Sequence, residues 1–203
     1  MTATALHRQT VGDLLRRSAR RQPHKPAIIY GTVHWTYGEF DEICNRLANG
    51  LRAQGVKSAD RVAVLSRNSH AFAALRFALA RLGAVIVPIN FMLTAQEAHY
   101  ILKHSGAAYL AMGADMLELG KAAASNTEIN QMFWLPGEDF APVPAPESLL
   151  SFDDLLSEDA TEPTANITTD TLLQIIYTSG TESLPKGALL THGAVMWQYT
   201  ACL

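Results

Sequence analysis

A chain of 203 residues that is 48% hydrophobic can bury a real core, and its length suggests one or two domains. No stretch approaches the ~18 consecutive apolar residues of a membrane span, so no transmembrane segment is expected. The net charge of −3 is uneven, with 14 Lys and Arg against 6 Asp and Glu in residues 1–112 and one Lys against 11 acids in residues 113–169, yet neither block holds a long like-charge run or a basic–aromatic repeat. Nucleic acid is therefore not expected as a partner, and the two blocks read as solvated surfaces of opposite sign.

The first 22 residues lack the apolar core of a secretory signal. They are Arg-rich, but Asp13 and the spacing of Val11, Leu14, Leu15 and Ala19 predict an amphipathic helix rather than a transit peptide. The two cysteines, Cys44 and Cys202, lie far apart without metal-ligand spacing, which suggests a reducing, cytoplasmic setting and no metal site of the chain's own. Lys25 to Tyr30 and Val33 to Trp35 read as a hairpin about Gly31-Thr32. Thr36-Tyr37-Gly38-Glu39 has the form of a capping box, followed by Phe40, Ile43, Leu47 and Leu51 on one helical face and Gly55 as a stop.

Arg61 to Leu65 is the next expected strand, and Asn68 or Ser69 can cap a helix that ends at Gly83. Ala84 to Ile89 is a continuous apolar run, the pattern of a strand buried on both faces of a parallel sheet. Thr94-Ala95-Gln96-Glu97 is a second capping box, opening a helix with Ala98, Ile101 and Leu102 up to Gly106. A strand over Ala107–Ala111, a helix from Met112 to about Ala124 and a strand over Met132–Leu135 complete the series. This alternation predicts an α/β fold with a largely parallel sheet and flanking helices, the apolar helical stripes being core.

Five prolines (Pro136, Pro142, Pro144, Pro146 and Pro163) then punctuate an acidic stretch. Ser151 to Leu156 reads there as a short helix, with Asp153-Asp154 capping its first turn rather than forming an acid/base pair. The expected organisation is an α/β subdomain over residues 1–135, a Pro-rich acidic connector over 136–169, and a strand-loop-strand with the start of a helix over 170–203.

The chemistry is concentrated between Thr171 and His192. Leu172 to Tyr177 is a short apolar run suited to a buried strand, and Ala188-Leu189-Leu190 forms a second. Between them lies Thr178-Ser179-Gly180-Thr181-Glu182-Ser183, small and hydroxylated, followed after Leu184 by Pro185-Lys186-Gly187. Backbone N–H groups and hydroxyls in such a loop can converge on phosphate oxygens, and one Lys adds a mobile charge. The spacing is not that of Walker A, because Lys186 precedes Gly187 and no Ser or Thr follows it to hold Mg²⁺.

Tyr177 to Gly187 resembles the phosphate-binding signature of the adenylate-forming enzymes, which comprise acyl-CoA synthetases, luciferases and peptide-synthetase adenylation domains. The match runs through Tyr177, Thr178, Ser179, Gly180, Thr181, Pro185, Lys186 and Gly187, and departs at Glu182 and Ser183, where Thr and Gly are commoner. Glu182 would either turn away from the phosphates or sit near their Mg²⁺. The segments Phe40 to Val64 and Leu82 to Leu102 also resemble the family's scaffold, so the likeness runs from about Val11 to His192.

The resemblance implies the N-terminal part of the family's large domain, with layered Rossmann-like sheets and flanking helices. It implies ATP-dependent activation of a carboxylic, notably fatty, acid through an acyl-adenylate, then transfer to CoA. ATP, Mg²⁺ (with ligands mostly outside this chain) and CoA are the expected cofactor and co-substrates. Phosphate contacts fall to Thr178, Ser179, Gly180, Thr181, Glu182 and Ser183, and the charge to Lys186, which is also the catalytic candidate. The competing expectations are a non-catalytic nucleotide-binding module and an amino-acid adenylation domain.

The family's aromatic-Gly-x-Thr-Glu segment, its ribose-binding Asp and its C-terminal catalytic Lys do not occur here, so Leu203 is expected to end a fragment. Residues 1–203 alone are therefore expected not to release pyrophosphate from ATP with any fatty acid. Acid-dependent ATP–pyrophosphate exchange by the purified chain would contradict that expectation.

Overall fold

The computed structural model describes residues 9–137, 144–178 and 184–202. In chain order the elements are α1 Val11–Arg21, β1 Pro26–Tyr30, β2 Val33–Thr36, α2 Tyr37–Ala53, β3 Arg61–Leu65, α3 His70–Leu82, β4 Val85–Ile89 and α4 Ala95–Ser105. There follow β5 Tyr109–Gly113, a 3₁₀ turn at Ala114–Met116, α5 Leu117–Ala124, β6 Gln131–Leu135, β7 Leu150–Ser151, β8 Leu172–Thr178, β9 Lys186–Thr191 and α6 His192–Ala201. The fold class is α/β, as the alternation predicts.

Strands β1 and β2 form a separate antiparallel hairpin, and the other seven form one sheet in the order β7-β6-β5-β3-β4-β8-β9. Every neighbouring pair in the large sheet is parallel except β8–β9. The chain steps from β3 outward to β4, then returns past β3 to β5. Right-handed crossovers running in opposite directions put their helices on opposite faces of a sheet. Successive strand residues accordingly divide between two cores. Val62, Val64 and Ile86 pack with α2 and α3, whereas Ala63, Leu65, Val85 and Val87 pack with α4 and α5.

The helix starts follow local chemistry. Glu39 accepts from the Thr36 N–H at 2.8 Å and Glu97 from the Thr94 N–H at 2.8 Å, while each threonine hydroxyl accepts in return from the glutamate's N–H. Ser69, rather than Asn68, caps α3 by accepting from the Phe72 N–H. A third box, Thr10 with Asp13, opens α1.

Three segments depart from the sequence reading. The helix expected from Met112 begins only at Leu117, because Met112 pairs with Leu65 and Trp134 inside β5 and Ala114–Met116 form the 3₁₀ turn. Strand β5 starts two residues later than the apolar run suggests, at Tyr109, with Ala108 N–H donating to Arg61 C=O to lead in. Ser151 to Leu156 is not a helix. Leu150–Ser151 forms strand β7 beside β6, and a single turn follows. Asp154 does make the reciprocal bonds of a helical first turn with Ser151, and Leu155 N–H donates to Ser151 C=O. The next amides turn elsewhere, however, and Ser157 N–H donates to Arg46 C=O of α2.

The acidic segment beyond that turn is held by polar groups of the first two helices. Arg46 Nε donates to Ser157 C=O at 2.7 Å, and Asn49 Nδ2 donates to the carbonyls of Asp159 and Thr161. Arg16 bridges Asp13 and Glu162 at 2.5 and 2.9 Å. Basic and acidic blocks of the sequence thus meet at this seam instead of facing solvent separately.

Phe152 is buried against Trp35 and His70, and Leu155 against α2, where the approach is close at Gly50. A Cβ there would lie 1.7 Å from the Leu155 carbonyl oxygen. Gly→Ala inside a helix normally gains about 1 kcal/mol, but overpacking of this kind costs about 1–3 kcal/mol or more. Gly50→Ala should therefore lower the urea midpoint despite better helix propensity, and a raised midpoint would show that the turn does not seat on α2.

Candidate phosphate-binding site

Strand β8 enters the sheet beside β4, with Gln174 in register with Ile86. Leu173 and Ile175 are buried, and so is Gln174, whose Oε1 accepts from Arg76 Nη1 of α3 at 2.5 Å. Arg76 also donates to the Tyr199 hydroxyl of α6, joining the strand to both helices. At the far end of β9, His192 is fully buried and its Nδ1 accepts from Val11 N–H at 3.2 Å. That bond satisfies one of the donors a helix N-terminus leaves unpaired, so the histidine closing the motif serves the scaffold.

The β8–β9 ladder sets the mouth of the loop. Its last pairs are Tyr177 opposite Gly187 and Thr178 opposite Lys186. Directly opposed residues share a face of the hairpin, and successive pairs alternate. Thr178 and Lys186, both exposed, therefore stand side by side on one face, with Tyr177 on the other. Of the residues expected to bind phosphate, the structure brings these two together. Ser179, Gly180, Thr181, Glu182 and Ser183 lie outside the described residues.

The opposite face is packed. A Cβ on Gly187 would lie 3.1 Å from Tyr177 Cζ and 2.9 Å from Ile175 Cγ2, so the Tyr177 ring lies against the Gly187 backbone. The Tyr177 hydroxyl is 2.7 Å from Nδ1 of His104 in the last turn of α4, and the two rings meet edge to face at 5.7 Å. Tyr100 stacks on His104 from one turn earlier, 5.3 Å away. Burial and the neighbouring Tyr100 push the Tyr177 phenol upward in pKa, against a smaller opposing effect of Arg61. The group is thus a neutral hydroxyl at physiological pH. An open, mostly apolar groove of about 580 Å³ separates α4, at Tyr100, Lys103 and His104, from Leu184 and Pro185 past the loop. The sequence gives no periodic or motif signal for His104, which meets Tyr177 across 73 positions.

Strand β8 thus ends where Thr178 stands beside Lys186. Residues 15–203 match the AMP-binding enzyme family. The chain belongs to that family. Feruloyl-CoA synthase of Amycolatopsis sp. is 36% identical over 192 residues, covering 95% of this chain and 35% of that protein. The long-chain-fatty-acid–CoA ligase FadD13 of Mycobacterium tuberculosis is 34% identical over 191 residues, or 92% of this chain and 36% of that protein. The crystal structure of the anthranilate CoA ligase AuaEII in complex with anthranoyl-AMP matches at a TM-score of 0.84 and 25% identity, over 95% of this chain and 36% of that one. The chain spans about a third of the length of these curated relatives.

In this member of the AMP-binding family, Gly187 is required by contact rather than by backbone angle. Gly187→Ala should displace the Tyr177 ring and cost about 1–3 kcal/mol, the range for an added methyl in a packed site. Amide exchange should quicken across Ile176–Thr178 and Lys186–Leu189 while β3 and β5 stay protected. Equal loss of protection throughout the sheet would instead mark Gly187 as a general core position.

Proposed function

We propose that this chain supplies the triphosphate-binding loop of an acid–thiol ligase, which activates a carboxylic acid with ATP as an acyl-adenylate and passes the acyl group to CoA. The observation that carries the reading is the pairing of Thr178 with Lys186 at the mouth of the Ser179–Ser183 loop, on the face of the hairpin turned away from Tyr177. Attack of a carboxylate on the α-phosphate places negative charge on the departing pyrophosphate. Preorganised N–H, hydroxyl and ammonium donors stabilise that charge as it grows. Thr178 offers a hydroxyl and Lys186 a compact, mobile cation that can follow the β- and γ-phosphates.

Mg²⁺ would arrive with ATP and would offset part of the charge of the phosphates. Among the described residues, no three His, Cys, Asp or Glu side chains converge on a point where they could hold a metal ion. We assign the protein ligands to Mg²⁺ mostly outside this chain, on the family resemblance, with Glu182 the one carboxylate between Thr178 and Lys186. The acid is proposed to be a fatty acid or another with an apolar body, a choice supported by the substrates named for the relatives. A cytoplasmic setting is supported by two free thiols, one buried at Cys44 and one exposed at Cys202. Among the described residues, no helix is long and apolar enough to cross a membrane.

The test separates the two half-reactions in the ligase that carries this chain. Lys186→Ala should slow adenylation by about 10²–10³-fold, corresponding to roughly 3–4 kcal/mol in the barrier, and should weaken acid binding far less. Lys186→Arg should rescue only in part, because a planar fork does not replace a point charge. Thioester formation from presynthesised acyl-adenylate should be nearly unchanged, since no pyrophosphate leaves in that step. An equal fall in both half-reactions would make Lys186 structural.

A further inference from the structure

The hairpin lies beside β4, but its backbone ladder to that strand is short. Among the described residues the β4–β8 ladder registers only at Ile86 and Gln174, and beyond Gln174 the partner of β8 is β9 alone. A two-stranded ribbon is marginal by itself in water, so a side-chain contact that ties its tip to the scaffold also holds Thr178 and Lys186. Tyr177 is the penultimate residue of β8 and sits one position before the loop-mouth pair. Its ring is bounded by the Gly187 backbone on one side and the His104 edge on another, and its hydroxyl is 2.7 Å from His104 Nδ1.

His104 is itself held in place. Tyr100, four residues earlier on α4, stacks on the imidazole with an interplanar angle of 20°. The helix beneath is anchored by buried Ala98, Ile101 and Leu102 and by the Thr94–Glu97 capping box. A continuous run of contacts therefore leads from the α4 core through Tyr100 and His104 to Tyr177, and so to Thr178. With the ring proton on Nε2, His104 Nδ1 accepts from the Tyr177 hydroxyl.

We propose that His104 is a positioning residue for the Thr178–Lys186 pair, acting through the Tyr177 hydroxyl to hold that pair in the geometry that receives the ATP phosphates. This rests on the function proposed above and assigns no contact between His104 and ATP. It predicts that losing the hydrogen bond loosens the Thr178–Lys186 pairing without unfolding the domain, since His104 is exposed and α4 is anchored elsewhere.

The experiment compares His104→Ala, His104→Asn, Tyr177→Phe and the double variant His104→Ala/Tyr177→Phe in the ligase that carries this chain, with Lys186→Ala as a control. The readouts are Kd for ATP by calorimetry without acid, KM for ATP and for the acid in pyrophosphate exchange, the thioester half-reaction, and Tm. His104→Ala and Tyr177→Phe should each raise Kd and KM for ATP by about 3–10-fold, the scale of one hydrogen bond. KM for the acid and the thioester step should stay within about twofold. The double variant should be no worse than Tyr177→Phe, because the two changes remove one interaction. His104→Asn, whose amide lies near the position of Nδ1, should recover most of the ATP affinity.

Unchanged ATP binding in His104→Ala beside an impaired Lys186→Ala would overturn the positioning role while leaving the phosphate site standing. Additive losses in the double variant, or a lowered Tm without an ATP-specific effect, would also overturn it. An unaffected Lys186→Ala would instead overturn the phosphate reading on which this inference rests.

Discussion

Burial of both faces of β3 and β4 is the constraint from which the rest of the architecture follows. Val62 to Leu65 and Val85 to Val87 are almost wholly buried, and a strand with apolar residues at every position cannot leave either face in water. Helices must then cover the sheet on both sides. The reversal of strand order about β3 supplies them, with α2 and α3 on one face and α4 and α5 on the other. At ~25 cal/mol per Å² of apolar surface removed from water, such core positions outweigh the surface ion pairs by a wide margin. Arg67 and Asp115 illustrate the weaker class, being 2.9 Å apart but about two-fifths exposed.

Polar groups decide the details that apolar burial leaves open. Arg81 is 3% exposed, and it bonds to the carbonyl and carboxylate of Asp41 and to Asn45 Oδ1, which fixes α3 against α2. A buried guanidinium without such partners would be costly. Cys44 sits in the same layer, and burial pushes its thiol far above the usual range, so it behaves as a small apolar group. Arg16, Arg46 and Asn49 then recruit the acidic residues 157–162 to this side of the molecule. The stretch between β6 and β8 thereby gains a defined path although most of it has no regular secondary structure.

What was legible in the sequence was the local part of the fold. Three-residue capping signals located α2, α3 and α4, and apolar runs located β3, β4 and β8, because each depends on neighbours within one turn or one strand. Ser151 to Leu156 shows where local chemistry misleads. The Ser151–Asp154 bonds are those of a helix start, but the turn is terminated by a carbonyl of α2, more than 100 positions away, and by the close approach that Gly50 allows. The same distinction applies at the site. Thr178 and Lys186 were visible through a contiguous motif. His104 was not, because its partner Tyr177 lies 73 positions on and nothing near His104 encodes the contact.

The motif itself mixes two kinds of residue, and strand geometry separates them. Tyr177 and Gly187 occupy one face of the hairpin and are architectural, one presenting a ring and the other the bare backbone that receives it. Thr178 and Lys186 occupy the other face and carry the polar groups. In an antiparallel ladder a slip of one residue sends every side chain of a strand to the opposite face. A slipped β9 would set Lys186 or Ala188 opposite Tyr177, and either side chain would intrude where the ring now lies against glycine. The fit of ring to backbone therefore pins the register, and the register keeps the lysine beside the threonine. In this hairpin the packed pair Tyr177 and Gly187 determines where Thr178 and Lys186 stand.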